Sequence, residues 1–325
     1  MEKIDLDQRV LYSIDGKHLA YDYIIIATGS VPNPDSIPGL RAASLNFHTS
    51  TDDSLKIWDA LQQFKKGHIV LGIAGVPHKC PPSPNEGVFL LDDYLRKTGK
   101  RDDTRITFLT PYPRPYPAEP MSKVVEPLFQ KRGIEVVTFF NLESVDPVKK
   151  ELYSLEGDTL SYDLLIMVPP HRGADVIIKS GLGDKDGWIP TDKYTMKVKG
   201  HENAYAIGDC TDIPISKTGV TAHLEAKVAA NNIISSIENL DETHKYTGRI
   251  NCPFEMGSGK AAFVVGTYDK PVKQIQPSRI RHVMKKGFER MYWRSLTGDI
   301  DWLLDVYFGA TDIVENGSKT PVANK

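Results

Sequence analysis

The sequence is short of cysteine: Cys80, Cys210 and Cys252 are the three thiols in 325 residues. They are too few and too scattered for the disulfide framework of a small secreted domain. No two lie close enough in sequence for a zinc or iron–sulfur site, so no metal is expected. No apolar run nears the roughly 20 residues that span a bilayer, which leaves only peripheral membrane contact. No signal peptide precedes the thiols, so a cytoplasmic setting is the default expectation. Charge of one sign is also lacking: 40 basic against 42 acidic residues leave a net charge of -2, and nothing global points to nucleic acid.

What is present is an alternating α/β chain too long for a single core. Lys3 to Lys17 alternates like a hairpin around Ser13-Ile14-Asp15-Gly16. Tyr21-Asp22-Tyr23-Ile24-Ile25-Ile26-Ala27-Thr28-Gly29 reads as a buried parallel strand ending in a tight turn near a ligand. A helix is expected over 52–64. A second unit follows: a strand from His68 into Gly72-Ile73-Ala74-Gly75, a helix over 88–97, a strand over 105–109, a helix over 124–131 and a strand over 134–137. This alternation predicts a doubly wound parallel sheet. Tyr162 to Val168 echoes the strand at 21–27, and Ala204-Tyr205-Ala206-Ile207-Gly208-Asp209 is another strand, followed by a helix over 221–237. Strands around Cys252 and over 261–267 lead to a basic helix over 280–296. Only Glu315 to Lys325 reads as disordered.

Two local patterns carry chemistry. Ser83-Pro84-Asn85-Glu86 has the form of a capping box with proline in the first turn. That places Cys80 at a helix N-terminus, where the dipole favours the thiolate. Gly208-Asp209 ends a strand before a helix, where backbone N–H groups and the dipole suit an anion. The helix at 280–296 combines apolar residues at 280, 283, 284, 288 and 291 with basic ones at 281, 285, 286, 290 and 294. It reads either as a surface helix packed on the core or as a membrane-surface helix. Trp293, Trp302, Tyr307 and Phe308 are open to core packing or to an interface.

The order "YDYIIIATG", a degraded glycine turn, "SYDLLIMVPP" and "AYAIGDC" resembles the two-dinucleotide-domain flavoprotein reductases. Within them, "GVPHKCPPSPNE", "PPHRG", "GDCTDIPISKTG" and "NCPFEMG" are similar to sulfide:quinone oxidoreductases and the related flavocytochrome c sulfide dehydrogenases. The resemblance implies two interleaved Rossmann-like domains plus a C-terminal α+β region that associates with a membrane. Its parts would be 1–62 and 161–245 for FAD, 63–160 for an NAD-type domain, and 246–325 for the C-terminal region.

It further implies FAD as cofactor, with sulfide and quinone as partners at the cytoplasmic face of the cell membrane; a homo-oligomer is compatible with it. Cys80 and Cys252 match the pair that shuttles sulfur over the flavin. Glu86 has two roles open to it, capping and proton transfer. Lys217 is a solvated lysine or, as the resemblance implies, lies near the flavin's pyrimidine edge or the quinone. Ala27, Thr28, Gly29, Pro77, Gly208, Asp209, Lys217 and Thr218 are the expected flavin contacts. Cys210 is expected to pack beside the cofactor.

The glycine turn at 72–77 departs from G-x-G-x-x-G, with Pro77 at the third glycine, and no acidic residue closes the strand at Leu109. Nicotinamide is therefore not expected as substrate, against the rival reading of an NADH:quinone oxidoreductase. The resemblance also implies that the N-terminal pyrophosphate-binding segment of the family is missing, as in a fragment, a mis-started gene model or one piece of a split protein; an inactive fragment unable to hold FAD is the alternative reading. A third cysteine common in the family is absent; His48 lies in about that region.

Overall fold

The computed structural model describes residues 1–300, 302–304 and 306–307. The chain opens with β1 (Lys3–Asp5), β2 (Val10–Tyr12), β3 (His18–Ala20), β4 (Ile24–Ile26) and β5 (Ser30–Pro32). The short α1 (Leu40–Ala43) and α2 (Thr51–Gln63) follow. Next come β6 (Gly67–Ile73), α3 (Ser83–Lys97), β7 (Thr104–Leu109), α4 (Glu119–Lys131) and β8 (Glu135–Val137). A meander of β9 (Leu142–Asp146), β10 (Glu151–Ser154) and β11 (Thr159–Ser161) leads to β12 (Leu164–Val168) and β13 (His171–Gly173). The chain then forms α5 (Asp175–Ser180), β14 (Ala204–Ala206) and α6 (Gly219–Ile237). Last come β15 (Ile250–Glu255), β16 (Ala261–Gly266) and α7 (Arg279–Ser295).

The expected doubly wound sheet is the four-stranded, all-parallel order β12-β6-β7-β8. Its strands read as largely apolar runs because both faces are covered, one by α3 and α4 and the other by the β9–β11 meander with α1. Phe89 of α3, Phe108 of β7 and Phe129 of α4 are fully buried against one another, with ring centroids 4.9 and 5.4 Å apart. Truncating any of them to alanine is expected to cost about 3–5 kcal/mol. The expected boundary at 161 would separate β12 from β6, yet the two are hydrogen-bonded neighbours.

The first and third stretches do come together, through parallel β14–β4 and antiparallel β13–β5. The strand expected over 21–29 is shorter and less buried than its sequence suggests. It spans three residues and Ile25 is 39% exposed. Among the described residues β4 pairs only with β14, so one of its edges is uncovered.

An ionic cluster on α3 is tied through Arg132 to the C-terminal hairpin. Asp92, wholly buried, pairs with Arg96, Arg101 and Arg132 at 2.9, 2.5 and 2.7 Å. Arg132 also donates to Ser258 Oγ at 2.8 Å, reaching the β15–β16 turn. Helix α7 differs from its expected single stripe. Met284, Phe288 and Met291 pack on the core, whereas Ile280 and Val283 are about 70% exposed, at 70% and 68%. Lys285 is not on a solvated face but pairs with Glu86 at 2.9 Å. Trp293 and Trp302 are exposed and Tyr307 is buried; Phe308 and the tail at 315–325 lie outside the described residues.

Candidate active site

β4 and β14 run parallel, so their C-terminal ends open side by side. The loop carrying Ala27, Thr28 and Gly29 therefore meets Gly208–Cys210. Ser30 Oγ donates to Asp209 Oδ2 at 3.0 Å, and the Cys210 thiol donates to the carbonyls of Ile207 and Ile26 at 3.2 and 3.4 Å. Cys210 is fully buried, and burial raises its thiol pKa. Gly208 has φ +71°, and a Cβ there would stand 3.1 Å from the Ala222 side chain. Only glycine lets the strand end turn this close to α6. Its N–H donates to Glu225 Oε2 at 2.6 Å.

Both candidate cysteines attach to consecutive residues at the head of α6. Cys80 N–H donates to the carbonyl of Lys217 at 2.7 Å. The Cys252 thiol donates to Thr218 Oγ1 at 3.5 Å, while that hydroxyl caps α6 by accepting from Thr221 N–H at 3.3 Å. Cys80 and Cys252 are both free thiols, each close enough for the charge of Cys252 to act on Cys80. Tyr116 is buried where the charges of both and of Glu86 reach it. The structure thus brings Cys80, Cys252, Glu86, Lys217, Thr218, Gly208 and Asp209 into one neighbourhood.

Lys217 is not a solvated lysine. Its ammonium donates to the carbonyls of Asp209 and Thr211 at 2.9 and 2.7 Å and stands 4.3 Å from the centre of the Trp188 ring. Burial lowers its pKa, opposed by nearby Asp209. Lys217, Trp188, Pro77 and His78 line a cleft of about 500 Å³.

Two local expectations fail. Ser83 does not cap α3: the helix begins at Ser83 with Pro82 as an N-cap that offers no side-chain acceptor. The Ser83 hydroxyl instead donates to the Cys80 carbonyl at 2.9 Å and meets His48 Nε2 at 2.6 Å. Glu86 does not reach back to the cap; it accepts from Glu255 N–H at 2.6 Å and from Lys285. It is a clasp between α3, β15 and α7. The thiol of Cys80 is not poised low either. Burial, reinforced by Glu86 and Cys252, pushes it up to about 12, and burial raises Cys252 to about 11. Desolvation of the thiolate outweighs the dipole here.

Four features of the site were not assigned to it by motif reading. His48, His78 and His171 cluster beside Cys80, with ring centroids 5.4 Å apart for His48–His171 and 6.5 Å for His48–His78. These residues come from three separate stretches. Trp188 and Tyr116 likewise reach the site from distant loops. Glu225, wholly buried with Oε1 unpartnered, has its pKa raised by burial to about 7. For Glu225 a signal existed: it shares the buried face of α6 with Val220, Thr221, Ala229 and Asn232, an acid among small residues.

No family model matches the chain. Among curated proteins it is 29% identical over 284 residues to the mitochondrial sulfide:quinone oxidoreductase of Mus musculus, an alignment covering 84% of the chain but only 63% of the mouse protein. It is 27% identical over 334 residues to the mitochondrial enzyme of the same name from Dictyostelium discoideum, covering 98% of the chain and 72% of that protein. Among solved structures, the sulfide:quinone oxidoreductase from Aquifex aeolicus superposes with a TM-score of 0.81 at 23% identity, over 92% of this chain and 75% of that one. The parallel sheets, the paired strand ends and these alignments converge: the chain is a homologue of the sulfide:quinone oxidoreductases, built on the two-dinucleotide-binding-domain flavoprotein fold.

Proposed function

We propose that the chain takes part in FAD-dependent oxidation of sulfide, with transfer of the electrons to a quinone. The observation that carries the reading is the attachment of two free thiols, Cys80 and Cys252, to the adjacent residues Lys217 and Thr218 at the head of α6.

The residues present fit a flavin. Gly208 allows close backbone approach, and Glu225 Oε1 is a buried polar atom with no partner directly behind it. Ala27, Thr28, Gly29, Gly208, Asp209 and Thr218 would hold the cofactor at the two strand ends. Pro77 and Lys217 border the adjoining cleft. When bound, FAD supplies a two-electron acceptor that passes its electrons to quinone. The ammonium of Lys217 would favour negative charge developing beside it.

In this mechanism hydrosulfide attacks one sulfur of a Cys80–Cys252 disulfide. The S–S bond breaks, the attacked cysteine becomes a persulfide, and the other leaves as a thiolate. Thr218 Oγ1 and the N–H groups around Ser83 are the donors available to such thiolates. Glu86, held by Glu255 N–H and Lys285, keeps the strand of Cys252 fixed on the helix that follows Cys80.

The exposed Ile280, Val283, Trp293 and Leu296, interspersed with Arg279, Lys286, Arg290 and Arg294, support peripheral attachment of α7 to a membrane surface that holds the quinone. Among the described residues no helix is long and apolar enough to cross a membrane.

The test is the visible spectrum of the purified chain with added FAD, followed by anaerobic sulfide. Flavin bands that bleach in the parent but not in Cys80→Ser or Cys252→Ser support the reading. Equal bleaching in both variants, or a protein that never takes up FAD, overturns it for this chain.

A further inference from the structure

The ends of α3 and α4 and the turn between β15 and β16 enclose a cavity of about 300 Å³ whose polar wall is cationic. Arg96 near the end of α3, Lys131 and Arg132 at the end of α4 and Lys260 of the turn all line it, and no carboxylate does. Three separate segments thus bring positive charge to one concavity, on a chain whose net charge is -2. The cavity shares no residue with the cleft that Lys217 borders.

Cations at a helix C-terminus ordinarily serve the last carbonyls. At α4 that need is met without the lysines. Arg96 and Arg101 donate to the carbonyl of Arg132 at 3.1 and 2.8 Å, and Arg101 donates to that of Gly133 at 2.9 Å. The lysines complete no ion pair either. Asp92 and Asp93 are taken up by Arg96, Arg101 and Arg132, and among the described residues Lys131 and Lys260 meet no carboxylate. Five cations against two carboxylates leave an excess of three positive charges beside the cavity. Such an excess in a concave site concentrates anions. Ser258 adds a neutral donor: its Oγ accepts from Arg132 at 2.8 Å, so its own proton is left to give, and it too lines the cavity.

We propose that this cavity binds a phosphate monoester, with the phosphate held by Arg96, Lys131, Lys260 and the Ser258 hydroxyl. The remaining wall is apolar, made by Leu128, Met256 and Pro277, and takes the alcohol portion of the ester. A phosphate monoester carries close to two negative charges and three strong acceptor oxygens, which match convergent donors that approach from three segments. A carboxylate brings one charge in one plane and leaves most of the excess unanswered. The occupant bridges α3, the helix after Cys80, to the turn of the hairpin that carries Cys252. Two sources supply this chemistry, a soluble phosphate ester and a phosphomonoester lipid headgroup, since Pro277 leads directly into α7.

The test needs neither flavin nor sulfide. The full chain is titrated by calorimetry with glycerol 3-phosphate at constant ionic strength, and sedimented with phosphatidylcholine vesicles containing phosphatidic acid. Lys131→Gln with Lys260→Gln, both exposed and so expected to be silent in folding, should weaken binding at least about tenfold. Lys65→Gln with Lys66→Gln removes the same charge from exposed positions outside the cavity and should leave binding unchanged. Saturable binding of glycerol 3-phosphate places the phosphate on a soluble ester. Binding to phosphatidic acid vesicles alone places it on a lipid. The proposal is overturned if the parent binds neither, if folded Lys131→Gln with Lys260→Gln binds as the parent does, or if the two lysine pairs lose affinity equally. It is also overturned if vesicles alone bind and phosphatidylserine, a phosphodiester, serves as well as phosphatidic acid.

Discussion

The backbone N–H of Cys80 donates to the carbonyl of Lys217 across 2.7 Å, which ties the cysteine loop of the second α/β unit to the turn before α6. Cys80 itself has φ +53°, a left-handed conformation that a non-glycine residue holds only when its surroundings impose it. Lys217 on one side and Ser83 N–H on the other, accepted by the Cys80 carbonyl at 2.9 Å, impose it here. The thiol is therefore placed by contacts on both flanks and not by its own backbone preference.

Glu86 sets the reactivity of Cys80 by charge. Its carboxylate raises the thiol pKa, second only to burial. Glu86→Gln keeps an oxygen for Glu255 N–H while removing the charge. Iodoacetamide modification of Cys80 at fixed alkaline pH is expected to be several-fold faster, up to about tenfold for a one-unit shift. A slower rate would mean that the clasp to Lys285 matters more than the charge.

Glu225 makes stability depend on pH. Its folded pKa, about 7, is raised above the ordinary 4.5, so folding favours the protonated acid. That stability is fully present below about pH 4.5 and is lost as pH rises toward 7, by about 3 kcal/mol in total. Glu225→Gln retains an acceptor for Gly208 N–H and removes the titration. Urea unfolding of parent and variant at about pH 5 and pH 8 checks this: the gap between them should widen at the higher pH, in favour of the variant.

Asp92 holds three arginines in a buried cluster. Burial opposes its charge, but hydrogen bonds from Arg96, Arg132 and Arg101 win and hold its pKa below the ordinary carboxylate range. Asp92→Ala leaves the largely buried Arg101 without a carboxylate partner, while Arg132 keeps Asp93 at 2.7 Å; it is expected to cost about 3 kcal/mol, read as a lower urea midpoint. Because Arg132 also reaches Ser258, faster proteolysis near that turn should accompany the loss.

The exposed apolar residues of α7 should be silent in folding. Ile280→Ser with Val283→Ser is expected to change stability by no more than about 0.5 kcal/mol per site. The same pair should reduce sedimentation with anionic lipid vesicles at least several-fold. Retained vesicle binding would remove α7 as the attachment surface.

Much of the architecture follows from the sequence alone. Largely apolar runs at 68–73, 105–109 and 164–168 can bury both faces only in a covered parallel sheet, and α3 buries Val88, Leu91 and Leu95 at helical spacing. Gly208-Asp209 at a strand end before a helix was equally legible, because the turn there demands glycine whatever surrounds it. The capping box at Ser83–Glu86 was legible and wrong. Its residue types suit a cap, but His48 and Cys80 take the serine, and Glu255 and Lys285 take the glutamate. Those partners lie 35, 3, 169 and 199 positions away, and all but the Cys80 contact lie beyond any local pattern. The same holds for the sign of the Cys80 shift. A helix dipole can be read from neighbours in sequence, whereas desolvation depends on everything that packs around the thiol. Sequence determined which residues can do this chemistry and which strands carry them; tertiary packing decided which of them meet, which proton each one holds, and how costly each charge is.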